Sequence, residues 1–169
     1  MEPTLLKLYR GKLVIIMTMY NETVLQHYRN PRNVGDIQDA DGIGIYMSDI
    51  CGDITKFWIK VREGKIVDVK YRTQGCAASI ACGSVLTELV KNKTIEEALK
   101  LTKDDIISAL NGLPEMKTHC SVLADDALKD AIRDYLSRNQ LPVPRDLHEK
   151  HERMRPLLEK MKQMGYVLI

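Results

Sequence analysis

The stretch Asp53-Ile-Thr-Lys-Phe-Trp-Ile-Lys-Val-Arg62, followed by Glu63-Gly-Lys65 and then Ile66-Val-Asp-Val-Lys-Tyr-Arg-Thr73, decides the fold. In the first segment Thr55, Phe57, Ile59 and Val61 alternate with Lys56, Trp58 and Lys60, the period of two that sends successive side chains to opposite faces of a strand. In the second, Val67, Val69 and Tyr71 alternate with Asp68, Lys70 and Arg72. Glu63-Gly-Lys65 reads as the hairpin turn between them. Upstream, residues 42–48 (Gly-Ile-Gly-Ile-Tyr-Met-Ser) read as a further strand, so the economical arrangement is a small three-stranded antiparallel sheet.

Past Gly75 the period changes to three and four residues. Ala78, Cys82, Val85 and Leu89 outline an amphipathic helix to about Lys91, whose apolar face must cover the sheet. Thr94 with Glu97, and Thr102 with Asp105, have the spacing of capping boxes that open two short helices before Asn111-Gly112. From His119 to Arg138 the stripe Val122, Leu128, Ala131, Ile132 and Tyr135 predicts a long helix. Asn21 can cap a short helix that runs to about Tyr28 and stops at Asn30-Pro31. The expected fold is therefore α+β, with helices packed on one side of the sheet.

Three segments follow: a tail over residues 1–19, a domain over residues 20–139 and a helical extension over residues 140–169. The extension begins after the stiff Leu141-Pro-Val-Pro144 break; Leu147, Met154, Leu158 and Met161 outline its helix, and Pro156 is expected to kink or split it. Its His148 and His151 share a face but lack a third ligand, so a solvated or packing helix is expected there and not a metal site.

With 25 basic against 23 acidic residues the net charge is only +2, which gives no field to draw nucleic acid or an anionic membrane. No apolar run approaches the ~18 residues of a membrane span. Lys7, Arg10 and Lys12 before Leu13–Met17 are not read as a secretion signal, because the run is short and no small-residue cleavage site follows. The expected location is cytoplasmic, and there four cysteines remain thiols.

Three of these thiols stand at the ends of predicted elements. Cys51 lies in the Cys51-Gly-Asp53 turn, Cys76 follows Gly75 where strand passes into helix, and Cys120 follows His119 at the start of the long helix. Helix N-termini favour the thiolate, which is the form that ligates metals and attacks electrophiles. Packing the helices on one side of the sheet lets three thiols, the Asp53 carboxylate and the His119 imidazole converge on a metal or cluster site. Cys82 falls on the apolar face and reads as core.

The segments Tyr28-Arg-Asn-Pro-Arg-Asn-Val-Gly35, Cys51-Gly-Asp53, Gly75-Cys-Ala-Ala-Ser79 and His119-Cys-Ser-Val-Leu-Ala124 resemble those of the U-type iron–sulfur cluster assembly scaffolds, the IscU/NifU N-terminal family. The short interval from Cys76 to Cys120 is similar to the Isc-type members and lacks the insertion of the zinc-dependent Suf-type ones. The resemblance implies a scaffold, not an enzyme, that assembles a [2Fe–2S] cluster and transfers it to recipient apo-proteins. Its implied ligands are Cys51, Cys76 and Cys120, with Asp53 as fourth ligand or modulator and His119 as the competitor for that place. It further implies sulfur delivery by a cysteine desulfurase, with Cys120 and then Cys51 as persulfide acceptors. An Hsp70-type chaperone would bind at Leu113-Pro-Glu-Met-Lys117, which departs from the family's Leu-Pro-Pro-Val-Lys. The alternative function is a zinc-dependent sulfur acceptor that activates a desulfurase, with Zn2+ in the same site.

Overall fold

The computed structural model describes residues 18–165. The N-terminal tail expected over residues 1–19 lies outside these, except Thr18 and Met19, whose backbone is helical. Three strands, β1 (Gly42–Met47), β2 (Ile54–Arg62) and β3 (Lys65–Gln74), form an antiparallel sheet in the order β1-β2-β3. The β2–β3 hairpin closes on Glu63 and Gly64, both at positive φ (51° and 72°), the twist that suits a two-residue hairpin turn.

The register of that hairpin shifts between Lys60 and Val61: Lys60 opposes Asp68, but Val61 opposes Ile66. Val67 is the extra residue of this bulge. It points outward, 38% exposed, while Ile66 is fully buried, which corrects the strict alternation that placed Val67 with Val69 and Tyr71. Trp58 is also buried at 7%, on the face expected to be polar, with the Lys56 ammonium 4.8 Å from its ring centre.

Helix α1 (Glu22–Arg29) starts at Asn21, whose side-chain oxygen accepts from the Val24 N–H and whose amide donates to the Leu110 and Gly112 carbonyls. Helix α2 (Ala77–Val90) is buried nearly all round, including Ser79, Gly83, Ser84 and Thr87. The expected amphipathic cover is thus a central helix, because α1 packs on it as well as β3. Helix α3 (Ile95–Lys100) opens on the Thr94–Glu97 capping box, and in α4 (Lys103–Ala109) Asp105 accepts from the Thr102 N–H.

Helix α5 (His119–Arg138) lies across β1. Gly42 and Gly44 make that approach possible, since a Cβ at Gly44 would collide with the Ala131 nitrogen and the Ala127 carbonyl oxygen. The same helix satisfies the β1 edge: Asp134 accepts from the Ile43 N–H at 2.9 Å and Asp130 from the Ile45 N–H at 3.1 Å. Val122, expected in the core stripe, is 38% exposed; Leu123, Ala124 and Ala127 take the inner positions.

Helix α6 (Arg145–Gln163) runs through Pro156 without splitting and buries Leu147, Met154 and Leu158. Lys150 binds Asp126 at 2.5 Å and His151 Nδ1 lies 2.8 Å from Asp130, tying this helix to α5. The extension therefore packs on its own chain.

Candidate metal centre

The site forms where β1, β2, α2 and α5 meet. Asp53 is the residue before β2, Cys76 is the N-cap of α2, and Cys120 is in the first turn of α5. One carboxylate oxygen of Asp53 and the sulfurs of Cys76 and Cys120 all lie within 4.8 Å of one another. The two sulfurs are 3.6 Å apart.

Asp53 is the hub of this group. Cys76 makes no side-chain cap to its own helix, and Asp53 Oδ2 supplies it from another element, accepting from the Cys76 N–H at 3.1 Å and the Ser79 hydroxyl at 2.6 Å. A Cβ on Gly75 would come within 2.5 Å of that oxygen, so glycine here is what leaves the carboxylate its seat. Burial pushes the Asp53 carboxyl up, but the donors from Ser79, the Cys76 N–H and the Cys51 thiol outweigh it and hold the group below its ordinary value.

Cys76 is the thiolate of the pair. The hydrogen bond donated by Cys120 brings it down to about 5, against the opposing effect of burial, with the Ser79 N–H adding a further donor. Cys120 is fully buried and moves upward, first because its proton is held by Cys76 and then through desolvation. Tyr20 lines a cleft together with Cys76 and is pushed up to about 12, by burial first and then by the Cys76 charge. Cys82 is fully buried, and burial raises its thiol strongly.

Cys51 is placed differently. It is exposed in the turn closed by the Gly52 N–H bonding to the Ser48 carbonyl, and it reaches the group through its thiol contact with Asp53. His119 opens onto a cavity of 220 Å³ beside Tyr46, Ile50 and Asp126. Its Nε2 is buried without a hydrogen-bond partner, and the imidazole is not among the residues whose ligand atoms gather within 4.8 Å. On the other side, Cys76 lines a cleft of 520 Å³ with Tyr20, Tyr28, Met116 and Lys117.

The sequence reading named Cys51, Asp53, Cys76, His119 and Cys120. It gave no role to Ser79 or Gly75. Ser79 follows the N-cap by three residues, the offset of a capping partner, and that spacing was the available signal.

Fold and site together define an α+β protein whose sheet and two helix starts carry a Cys/Cys/carboxylate group able to hold a metal. The sequence profile of the NifU-like N terminal domain matches residues 19–141, and the chain belongs to that family. Among relatives, the iron-sulfur cluster assembly scaffold protein IscU 1 of Archaeoglobus fulgidus is 54% identical over 121 residues, covering 72% of this chain and 79% of its own. The protein named iron-sulfur cluster assembly enzyme IscU in Drosophila melanogaster is 48% identical over 131 residues, covering 75% and 84%. A solved candidate scaffold protein for the SUF system from Fervidobacterium islandicum superposes with a TM-score of 0.59 at 25% identity, covering 68% of this chain and 97% of that one. A NifU-like N-terminal structure from Brucella abortus, at 23% identity and TM-score 0.59, shares the fold.

No helix among the described residues is long and apolar enough to cross a membrane.

Proposed function

We propose that this protein is a scaffold on which a [2Fe–2S] cluster is built from iron and desulfurase-derived sulfur and then handed to recipient apo-proteins, acting as a carrier and not a turnover enzyme. The observation that carries this reading is the convergence of Asp53, Cys76 and Cys120 within 4.8 Å, on a chain similar over most of its domain to an IscU named as a cluster assembly scaffold. The cluster is cargo. Cys51, Cys76 and Cys120 are its thiolate ligands, Asp53 the fourth, and His119 the competitor for that place. Soft thiolates hold iron well, whereas a harder carboxylate is exchanged easily, as delivery requires.

Sulfur arrives as the persulfide of a cysteine desulfurase. A thiolate of Cys120 or Cys51 attacks the outer sulfur, a new S–S bond forms on the scaffold, and the desulfurase cysteine leaves as thiolate; two electrons from an external reductant then cleave that S–S bond, releasing sulfide to the cluster and restoring the scaffold thiolate. Cys51 is exposed and meets the donor as it stands; Cys120, fully buried, requires the α2–α5 junction to open. Residues 113–117 offer an Hsp70-type chaperone a short 3-10 turn with Met116 68% exposed. The scaffold domain spans residues 20–139, residues 140–169 are its helical extension, and the protein works in the cytoplasm.

Anaerobic reconstitution with ferrous iron, cysteine, a desulfurase and a dithiol reductant tests the reading. A charge-transfer spectrum that disappears in Cys51→Ser, Cys76→Ser and Cys120→Ser is expected; a spectrum independent of these residues, or none, overturns it. The second reading, a zinc-dependent sulfur acceptor that activates a desulfurase, is favoured by the same Cys/Cys/Asp donors, all of which suit zinc. It requires one tightly held zinc per chain and desulfurase stimulation that chelation abolishes.

A further inference from the structure

We propose that Cys76 and Cys120 form a reversible dithiol–disulfide pair, an oxidation site that takes the centre out of service under peroxide stress. Four observations carry it. The two sulfurs stand 3.6 Å apart, so that a bond of about 2.05 Å needs only side-chain rotation and a small approach of two helix starts. Cys76 is an N-cap with extended backbone (φ −79°, ψ 173°), so its side chain is free of the rotamer limits inside a helix. It also lines the 520 Å³ cleft, which admits a small hydroperoxide, whereas Cys120 is fully buried behind it. The remaining thiols are poor rivals, Cys51 being an exposed turn residue outside the close group and Cys82 sealed in the core.

The oxidant is a hydroperoxide. It transfers one oxygen to the Cys76 thiol, giving a sulfenic acid and releasing the alcohol, or water when the oxidant is hydrogen peroxide. The Cys120 sulfur then attacks the Cys76 sulfur, the S–O bond breaks, water leaves and the disulfide forms; a dithiol reductant restores both thiols. The pair thus acts as attacked and resolving cysteines, which spares Cys76 the irreversible sulfinic stage. This chemistry belongs to the metal-free protein and stands whatever cargo the site holds. Only its consequence, the loss of two ligands, rests on the reading above.

The test treats metal-free full-length protein with hydrogen peroxide at equimolar dose, alkylates under denaturing conditions, digests with trypsin and sequences the peptides by mass spectrometry. The expected product is a mass lower by two hydrogens, with residues 73–91 joined to residues 118–129 and Cys82 alkylated within the linked peptide. Dithiothreitol should return four free thiols. In Cys120→Ser the sulfenic acid of Cys76 should persist and be captured by dimedone, while Cys51→Ser should form the disulfide as the parent does. A link through Cys51 or Cys82, or accumulation of Cys76 sulfinic acid in the parent chain, overturns the proposal.

Discussion

Asp53 caps the helix that Cys76 begins: its Oδ2 lies 3.1 Å from the Cys76 amide nitrogen while the same carboxylate sits within reach of the half-buried Cys76 sulfur and the buried Cys120 sulfur. One group thus holds the α2 start in place and borders the metal position. A carboxylate engaged by three kinds of donor is a weak metal ligand, since each donor competes with the ion for its lone pairs.

Removing this carboxylate should have two opposed effects. Asp53→Ala leaves the Cys76 N–H and the Ser79 hydroxyl without their acceptor, costing the apo protein about 1–3 kcal/mol in urea denaturation. The reconstituted cluster should nevertheless persist longer in transfer assays, because the exchangeable position is gone. Faster loss of cluster than in the parent chain would make Asp53 an anchor instead.

Gly75→Ala should mimic that variant from the other side. The new Cβ would meet the Asp53 carboxylate at 2.5 Å and drive it from its seat, with the lifetime of the cluster moving in the same direction as in Asp53→Ala. A cluster lifetime identical to the parent's would show that Asp53 does not control release.

The Asp53 carboxyl, held down despite its burial, also sets a pH dependence. A group whose folded pKa is depressed stabilises the fold above its unfolded value, near 3.9, and that contribution is lost as pH falls through the folded value. Thermal melts should therefore weaken below about pH 4, and Asp53→Asn should flatten part of that slope. Equal slopes in both proteins contradict the assignment.

Thiol reactivity separates the cysteines. With Cys76 brought down to about 5, its alkylation by iodoacetamide should proceed at pH 6, while Cys82 and Cys120, both moved upward, stay unmodified until the protein unfolds. Peptide mapping of the labelled sites checks this.

The β1–α5 contact is the least forgiving place in the fold. Gly44→Ala puts a methyl group onto backbone atoms of Ala127 and Ala131, which cannot rotate away, and should cost about 3 kcal/mol or more. Denaturation midpoints of Gly44→Ala and the exposed-turn control Gly52→Ala should differ accordingly in origin, the second paying only for its positive φ of 73°.

What the sequence made legible was local. The Asn21 cap, the Thr94–Glu97 capping box and the Glu63-Gly64 turn depend on neighbours within a few residues, and each occurs where the residues call for it. Features that needed the third dimension were not legible. Val67 leaves the core because one bulge shifts the pairing, which no alternation rule contains. Helix α2 is buried nearly all round because α1, α5 and β3 all pack against it, and its small residues Ala78, Ala81 and Gly83 look mild in sequence. The cysteines could be placed at element ends, but the Asp53–Ser79 bond and the seat beside Gly75 join parts of the chain more than twenty residues apart.

The central claim is tested most directly by total iron, sulfide and zinc per chain, with a Mössbauer spectrum, after anaerobic desulfurase-driven reconstitution. Iron and sulfide in equal amounts with the spectrum of a [2Fe–2S] cluster are the predicted result. Stoichiometric zinc that resists displacement by iron, together with stimulated sulfur transfer, would contradict it and make the protein a zinc-bound sulfur acceptor.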